Sequence, residues 1–137
     1  MWRLWVVALL LVGCVSTVPL PSNVNVIPPA GVPNPVAAYS GKWQGVWDDT
    51  LDHILVVEEI KGTEAMVIYA WGDSAAWQTS RGFRRVKGTF EGNMLVVKLP
   101  RPATVTYQMR PDGKLDAKYD WQGGIARAIL TKMAESR

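Results

Sequence analysis

What constrains this chain most is its punctuation: past Tyr39 it is cut by glycine turns into short segments whose apolar residues alternate. Alternation with period two places successive side chains on opposite faces of a strand. The pattern predicts eight strands, at 41–48, 53–61, 64–71, 83–91, 94–99, 103–110, 114–121 and 125–133. Pro111, Asp112 and Gly113 form a turn in which proline presets φ, aspartate closes an Asx-type bond and glycine takes the left-handed position. Glu91, Gly92 and Asn93, and the pair Gly123 and Gly124, likewise permit tight hairpins. Short links make sequential strands antiparallel neighbours, an up-and-down meander. A sheet of this size exposes two edges unless it closes, and closure removes both. The expected fold is therefore all-β, a small eight-stranded antiparallel up-and-down β-barrel, with a two-sheet sandwich as the competing architecture. Ile125, Ile129 and Met133 also have helical spacing, but a closed barrel needs this last segment as a strand to pair with the first.

The faces are clearest in the sixth and seventh segments. Ala103, Val105, Tyr107 and Met109 form one dry face, and Leu115, Ala117, Tyr119 and Trp121 another. By contrast, residues 54–57, 66–71 and 94–97 are apolar on both faces, so either something covers their outside or they form a contact surface. Trp43, Trp47, Tyr107, Tyr119 and Trp121, all turned inward, would nearly fill an eight-stranded barrel. The alternative is a narrow aromatic-walled cleft for a lipid tail, a small apolar molecule or a glycan ring. Its candidate ligand-binding residues are Trp43, Trp47, Tyr69, Trp77, Tyr107, Tyr119 and Trp121. Trp77 stands apart in the longest loop, 72–82, with no strand to pack on, which marks it as a lid or contact point.

Little else points to chemistry. Cys14 is the only cysteine, so the domain holds no disulfide, no thiol nucleophile and no cysteine-based zinc site. A net charge of +3 is too slight to argue for nucleic acid. His53 is the only histidine; pairing it with Ser74 and Asp73 or Asp52 lacks any nucleophile elbow, and a lone histidine near a turn is expected to be exposed. Asp48, Asp49 and Asp52 lack the glycine and glutamate spacing of a calcium loop, so they read as turn caps; carboxylate catalysis on a sugar is the remote alternative. No catalytic residue, metal or cofactor is expected. Arg81, Arg84, Arg85 and Lys87 form a basic run that suits a solvated strand exterior better than a site for anionic headgroups.

The amino-terminal third differs in character. Arg3 precedes an uncharged run, too short to span a bilayer, that ends in Leu11, Val12, Gly13 and Cys14. That order resembles the lipobox of bacterial lipoproteins. The resemblance implies a signal peptide at 1–13, cleavage before Cys14, and two or three acyl chains on that cysteine, an effectively permanent anchor. Val15 rather than Asp after the cysteine fits the outer membrane, with the protein facing the periplasm. Residues 15–38 carry no ionisable side chain and six of the nine prolines, so 14–38 is expected to be a lipidated, semi-rigid tether. The competing possibility is that this segment packs on the domain at 39–137 as an extra edge.

Gly41, Lys42, Trp43, with Gly45 and Trp47 after them, resemble the Gly-x-Trp opening of lipocalin-like (calycin) barrels. In that family the tryptophan plugs one end and a basic residue near the last strand packs over it, a role the resemblance gives to Arg127. More closely, the chain is similar to compact lipocalin-like domains of bacterial secreted proteins. Their Gly-x-Trp-x-Gly, Tyr-Ala-x-Gly and Asp-Gly-x-Leu motifs appear as 41–45, 69–72 and 112–115. These motifs specify architecture and carry little function. The expected function is a non-enzymatic, membrane-anchored lipoprotein binding a small apolar or amphipathic ligand, or an envelope protein, at its Trp77 end. The alternative is an interaction module with a filled barrel.

Overall fold

A computed structural model of the protein describes residues 18–134. The predicted signal peptide and Cys14 lie outside the described residues. The strands are β1 (Gly41–Trp47), β2 (Leu51–Lys61), β3 (Glu64–Trp71), β4 (Gly82–Glu91), β5 (Met94–Leu99), β6 (Ala103–Met109), β7 (Leu115–Trp121) and β8 (Gly124–Lys132). All pair antiparallel in sequence order, and β1 pairs β8 to close the barrel. The fold is thus the eight-stranded up-and-down barrel the alternation predicts, consistent with a lipocalin-like domain. The closing seam is short, with Trp43 opposite Lys132 and Gln44 opposite Thr131. Gly45 makes it possible, because a Cβ there would lie 2.6 Å from the Ile129 carbonyl oxygen.

The lumen is filled. Trp43, Trp47, Leu55, Leu95, Tyr107, Leu115 and Leu130 are essentially inaccessible to solvent. One end of the barrel is sealed by the residue that precedes β1. A four-residue helix, α1 (Asn34–Ala37), delivers Tyr39, whose hydroxyl donates to the Asn93 carbonyl and accepts from the Met109 N–H at 2.8 Å. The Trp43 indole N–H in turn donates to the Tyr39 carbonyl at 2.9 Å. This is the capped end, bordered by the polar turns after β2, β4 and β6.

Arg127 does not pack over Trp43. In β8 it is Ala126, Ala128 and Leu130 that face inward, while Ile125 and Ile129 stand half exposed and Arg127 points to solvent with them. The small residues go inside because Trp43, Trp47 and Tyr119 already occupy the space across from them. The cation over Trp43 is Lys132, with its ammonium 5.5 Å from the ring centroid.

The tether expectation is also corrected. From Val18 onward the proline-rich segment is a strap laid on the outside of β2 and β3. Val18 shares a buried cluster with Ile54, Val56, Ile68 and Ala70, against which Leu20, Val24 and Val26 pack. This is the cover that the two-sided apolar stretches at 54–57 and 66–71 required; the stretch at 94–97 in β5 is not part of it. Polar bonds fix its register: the Ile27 N–H donates to the Glu58 carbonyl at 2.7 Å and the Asn25 N–H to the Glu58 carboxylate at 2.9 Å. That carboxylate is buried yet accepts from the Arg85 guanidinium at 2.7 Å. Burial opposes its charge, but bonds from Arg85 and Asn25 outweigh this and hold its pKa below the usual carboxylate value. Proline suits such a strap, since it needs few backbone donors and loses little entropy on docking.

Candidate functional site

The opposite end of the barrel is the mouth. It is framed by the end of β3, the loop after it, the start of β6 and the end of β7. The β3–β4 loop is ordered by its own polar side chains. Ser74 and Thr79 form an isolated bridge, the Ser74 hydroxyl accepts from the Trp77 N–H at 3.2 Å, and Asp73 accepts from the Arg81 N–H at 2.7 Å. Gln78, at φ +50°, takes the left-handed turn that lets the loop double back. Trp77 is therefore presented at a defined place, half-buried against Trp121 with ring centroids 6.0 Å apart. Trp121 lies flat across Gly123, where a Cβ would come within 2.5 Å of the indole nitrogen.

Below these two rings the aromatics continue inward without a break. Trp121 meets Tyr119 at 5.5 Å, Tyr119 meets Trp47 at 5.8 Å and Tyr69 at 6.5 Å, and Tyr69 meets His53 at 4.4 Å. Of the seven expected ligand-binding residues, six form this stack or join it at Tyr107. Trp43 does not; it belongs to the capped end.

His53 overturns its expected exposure. It is 1 % exposed, stacked on Trp47, with one ring nitrogen 2.7 Å from the Ala70 carbonyl and the other 2.9 Å from the Tyr107 hydroxyl. A carbonyl can only accept, so Nδ1 carries the proton and Nε2 accepts from Tyr107. Burial pushes the imidazole pKa down to about 4, against a smaller opposing effect of the Ala70 carbonyl. The ring is neutral and both its nitrogens are engaged with Ala70 and Tyr107, not with Ser74, whose hydroxyl accepts from the Trp77 N–H. Burial also pushes the Tyr69 and Tyr107 phenols well up, so both stay protonated. The Trp47 indole N–H lies beside the Tyr69 hydroxyl without the alignment of a hydrogen bond. It is the one orphaned buried side-chain donor among the described residues.

Above the stack the mouth opens into a cleft of about 700 Å³ lined by Trp77, Trp121, Tyr119, Arg101, Pro102 and Asp48, among others. Burial raises the Tyr119 pKa, and the Arg101 charge nearby offsets part of that rise. Arg101, with no ion-pair partner among the described residues, went unnoticed in the sequence because the Pro100–Pro102 turn carries no alternation. A wider concavity of about 830 Å³ crosses the outer wall of β1, β8, β7 and β6, with a mixed lining in which Val46 and Ile129 alternate with Gln44, Thr106, Gln108 and Arg127 and no aromatic ring takes part. Asp48 and Asp49 are turn residues as expected, whereas Asp52 is not a turn cap but the second residue of β2, paired with Val46. Asp48 and Asp49 take positive φ, and the Asp48 carboxylate accepts from the Arg127 N–H at 2.9 Å. Among the described residues no three metal-ligating side chains converge. Arg85 and Lys87 share the outer face of β4, each paired with a glutamate. No family model and no curated protein matches the chain.

Proposed function

We propose that this protein is a non-enzymatic, lipid-anchored envelope lipoprotein that binds a small apolar or amphipathic ligand at the Trp77 end of its barrel. The observation that carries the reading is the open aromatic cleft seated on an otherwise filled lumen. A solid core leaves no room for a ligand in the middle, so recognition is confined to the rings at the mouth. Trp77 and Trp121 offer flat apolar faces, and Tyr119 and Arg101 offer a polar edge, a combination typical of small-molecule sites. The anchor rests on the order Leu11, Val12, Gly13, Cys14, and Val15 after the cysteine supports an outer-membrane site facing the periplasm.

Native mass spectrometry of the protein purified from its own envelope tests the reading. A co-purifying small molecule, lost in a Trp77→Ala variant that still unfolds cooperatively, supports it. The filled lumen also suits a second reading, a module that docks on an envelope protein, for which a protein adduct in the same spectrum is the expected result.

A further inference from the structure

The two ends of the barrel differ in a way that ligand binding alone does not require. The turns at the capped end are polar throughout: Lys61 to Glu64, Glu91 to Asn93, and Arg110 to Lys114. The mouth is ringed with apolar side chains. Three of the five exposed large hydrophobics sit on its outer rim, Val46 at 39 %, Phe83 at 44 % and Ile125 at 50 %. They come from β1, β4 and β8, so the collar runs round the barrel, and Trp71, Trp77 and Trp121 stand half-buried inside it. Single exposed apolar residues are ordinary, and the other two, Ile27 and Ile129, lie toward the capped end, but three on the rim of a mouth that also holds three half-buried tryptophans make an apolar concentration at that end. Aromatic side chains of this amphipathic kind are at home at a lipid–water boundary.

The strap supplies an independent observation. Asn23 lies by Arg85, and Asn25 and Ile27 bond Glu58, so the chain climbs toward the capped end. Val18, seven residues before Asn25, packs in the patch that includes Ile54 and Ala70, on the mouth half of β2 and β3. Phe83 is the cross-strand neighbour of Ala70. Only three residues lie between Cys14 and Val18, so four Cα–Cα steps span at most ~14 Å however the chain runs. A free 14–38 tether would have allowed ~75 Å at ~3.1 Å per residue.

We propose that the mouth rests on the lipid surface, with Phe83 and the mouth tryptophans at the headgroup level and the capped end pointing away. This rests on the acylated Cys14 of the proposed function and adds to it the source of the ligand, the bilayer itself. Arg81, Arg84 and Arg101 lie on the β4–β6 side of the mouth, while Asp48, Asp49 and Asp52 lie on the β1–β2 side. On the β4–β6 side the guanidinium groups meet lipid phosphate, and on the other side the Asp48 carboxylate is already held by the Arg127 N–H.

Because Cys14 is the only cysteine, a spin label can be placed cleanly once it is acylated. Full-length acylated protein carrying Gln122→Cys, Ile125→Cys or Asp112→Cys is reconstituted in vesicles of phosphatidylethanolamine and phosphatidylglycerol. Labels at 122 and 125 should become several-fold more accessible to oxygen than to a water-soluble nickel chelate, with no change at 112. Three labels that remain aqueous, or a label at 112 that enters the lipid, overturn the orientation. So does shielding at 122 and 125 that pure lipid does not give and envelope proteins do. Intact mass decides separately: a protein without acyl chains on Cys14 removes the anchor on which both readings stand.

Discussion

At the residue scale the centre of the molecule is a histidine that burial keeps neutral down to about pH 4. In the unfolded chain the His53 imidazole titrates near 6.5, and in the folded barrel near 4. The unfolded state thus binds more protons between these values, so stability is full above pH 6.5 and falls as the pH drops toward 4. The total is roughly 3 kcal/mol, at 1.36 kcal/mol per unit. Urea unfolding followed across pH 4 to 7 should show this slope, and His53→Phe should flatten it while destabilising the protein at neutral pH by leaving the Ala70 carbonyl unpaired. Glu58 acts in a lower window, because its depressed pKa makes its contribution present above about 4.5 and lost below. Tyr39 is the other residue on which much depends. Tyr39→Phe leaves the part-buried Met109 N–H without its acceptor and should cost about 1–2 kcal/mol, read as a shift in urea midpoint at unchanged slope. Neither role was legible in the sequence. A histidine two positions into a strand and a tyrosine before one look alike whether exposed or buried, and only the partner carbonyls from other strands decide.

At the level of elements, strand positions were legible to within a residue or two, since glycine turns and alternation act locally. The facing of β8 was not. Ile125, Ile129 and Met133 offer one apolar row and Ala126, Ala128 and Leu130 another, and the choice is made by the volume that Trp43, Trp47 and Tyr119 leave. The seam that results depends on Gly45. Gly45→Ala drives a methyl against the Ile129 carbonyl and should cost about 1–3 kcal/mol, with accelerated amide exchange in β1 and β8 rather than in β3 and β4. The strap is held chiefly at Glu58. Glu58→Ala frees Arg85 and the Asn25 N–H together, and amide exchange at Asn25 and Ile27 should rise well before the barrel strands lose protection.

For the whole molecule, the strap makes the folded unit larger than the barrel that the sequence outlines. Deleting residues 1–17 should leave a soluble, cooperatively unfolding protein. Deleting 1–38 strips the cover from Ile54, Val56, Ile68 and Ala70, and light scattering should report self-association. The sequence by itself determined eight strands and their antiparallel order, because period-two alternation and turn chemistry are read out by neighbours along the chain; closure it favoured over a two-sheet sandwich, and a filled lumen stood beside an aromatic-walled cleft. Only the tertiary structure decided that the proline-rich segment lies on β2 and β3, that His53 is buried beneath Tyr107, and that one end is sealed while the other opens between Trp77 and Trp121. Those outcomes depend on which surfaces remain uncovered once the barrel has closed, a competition among residues far apart in sequence that no local pattern records.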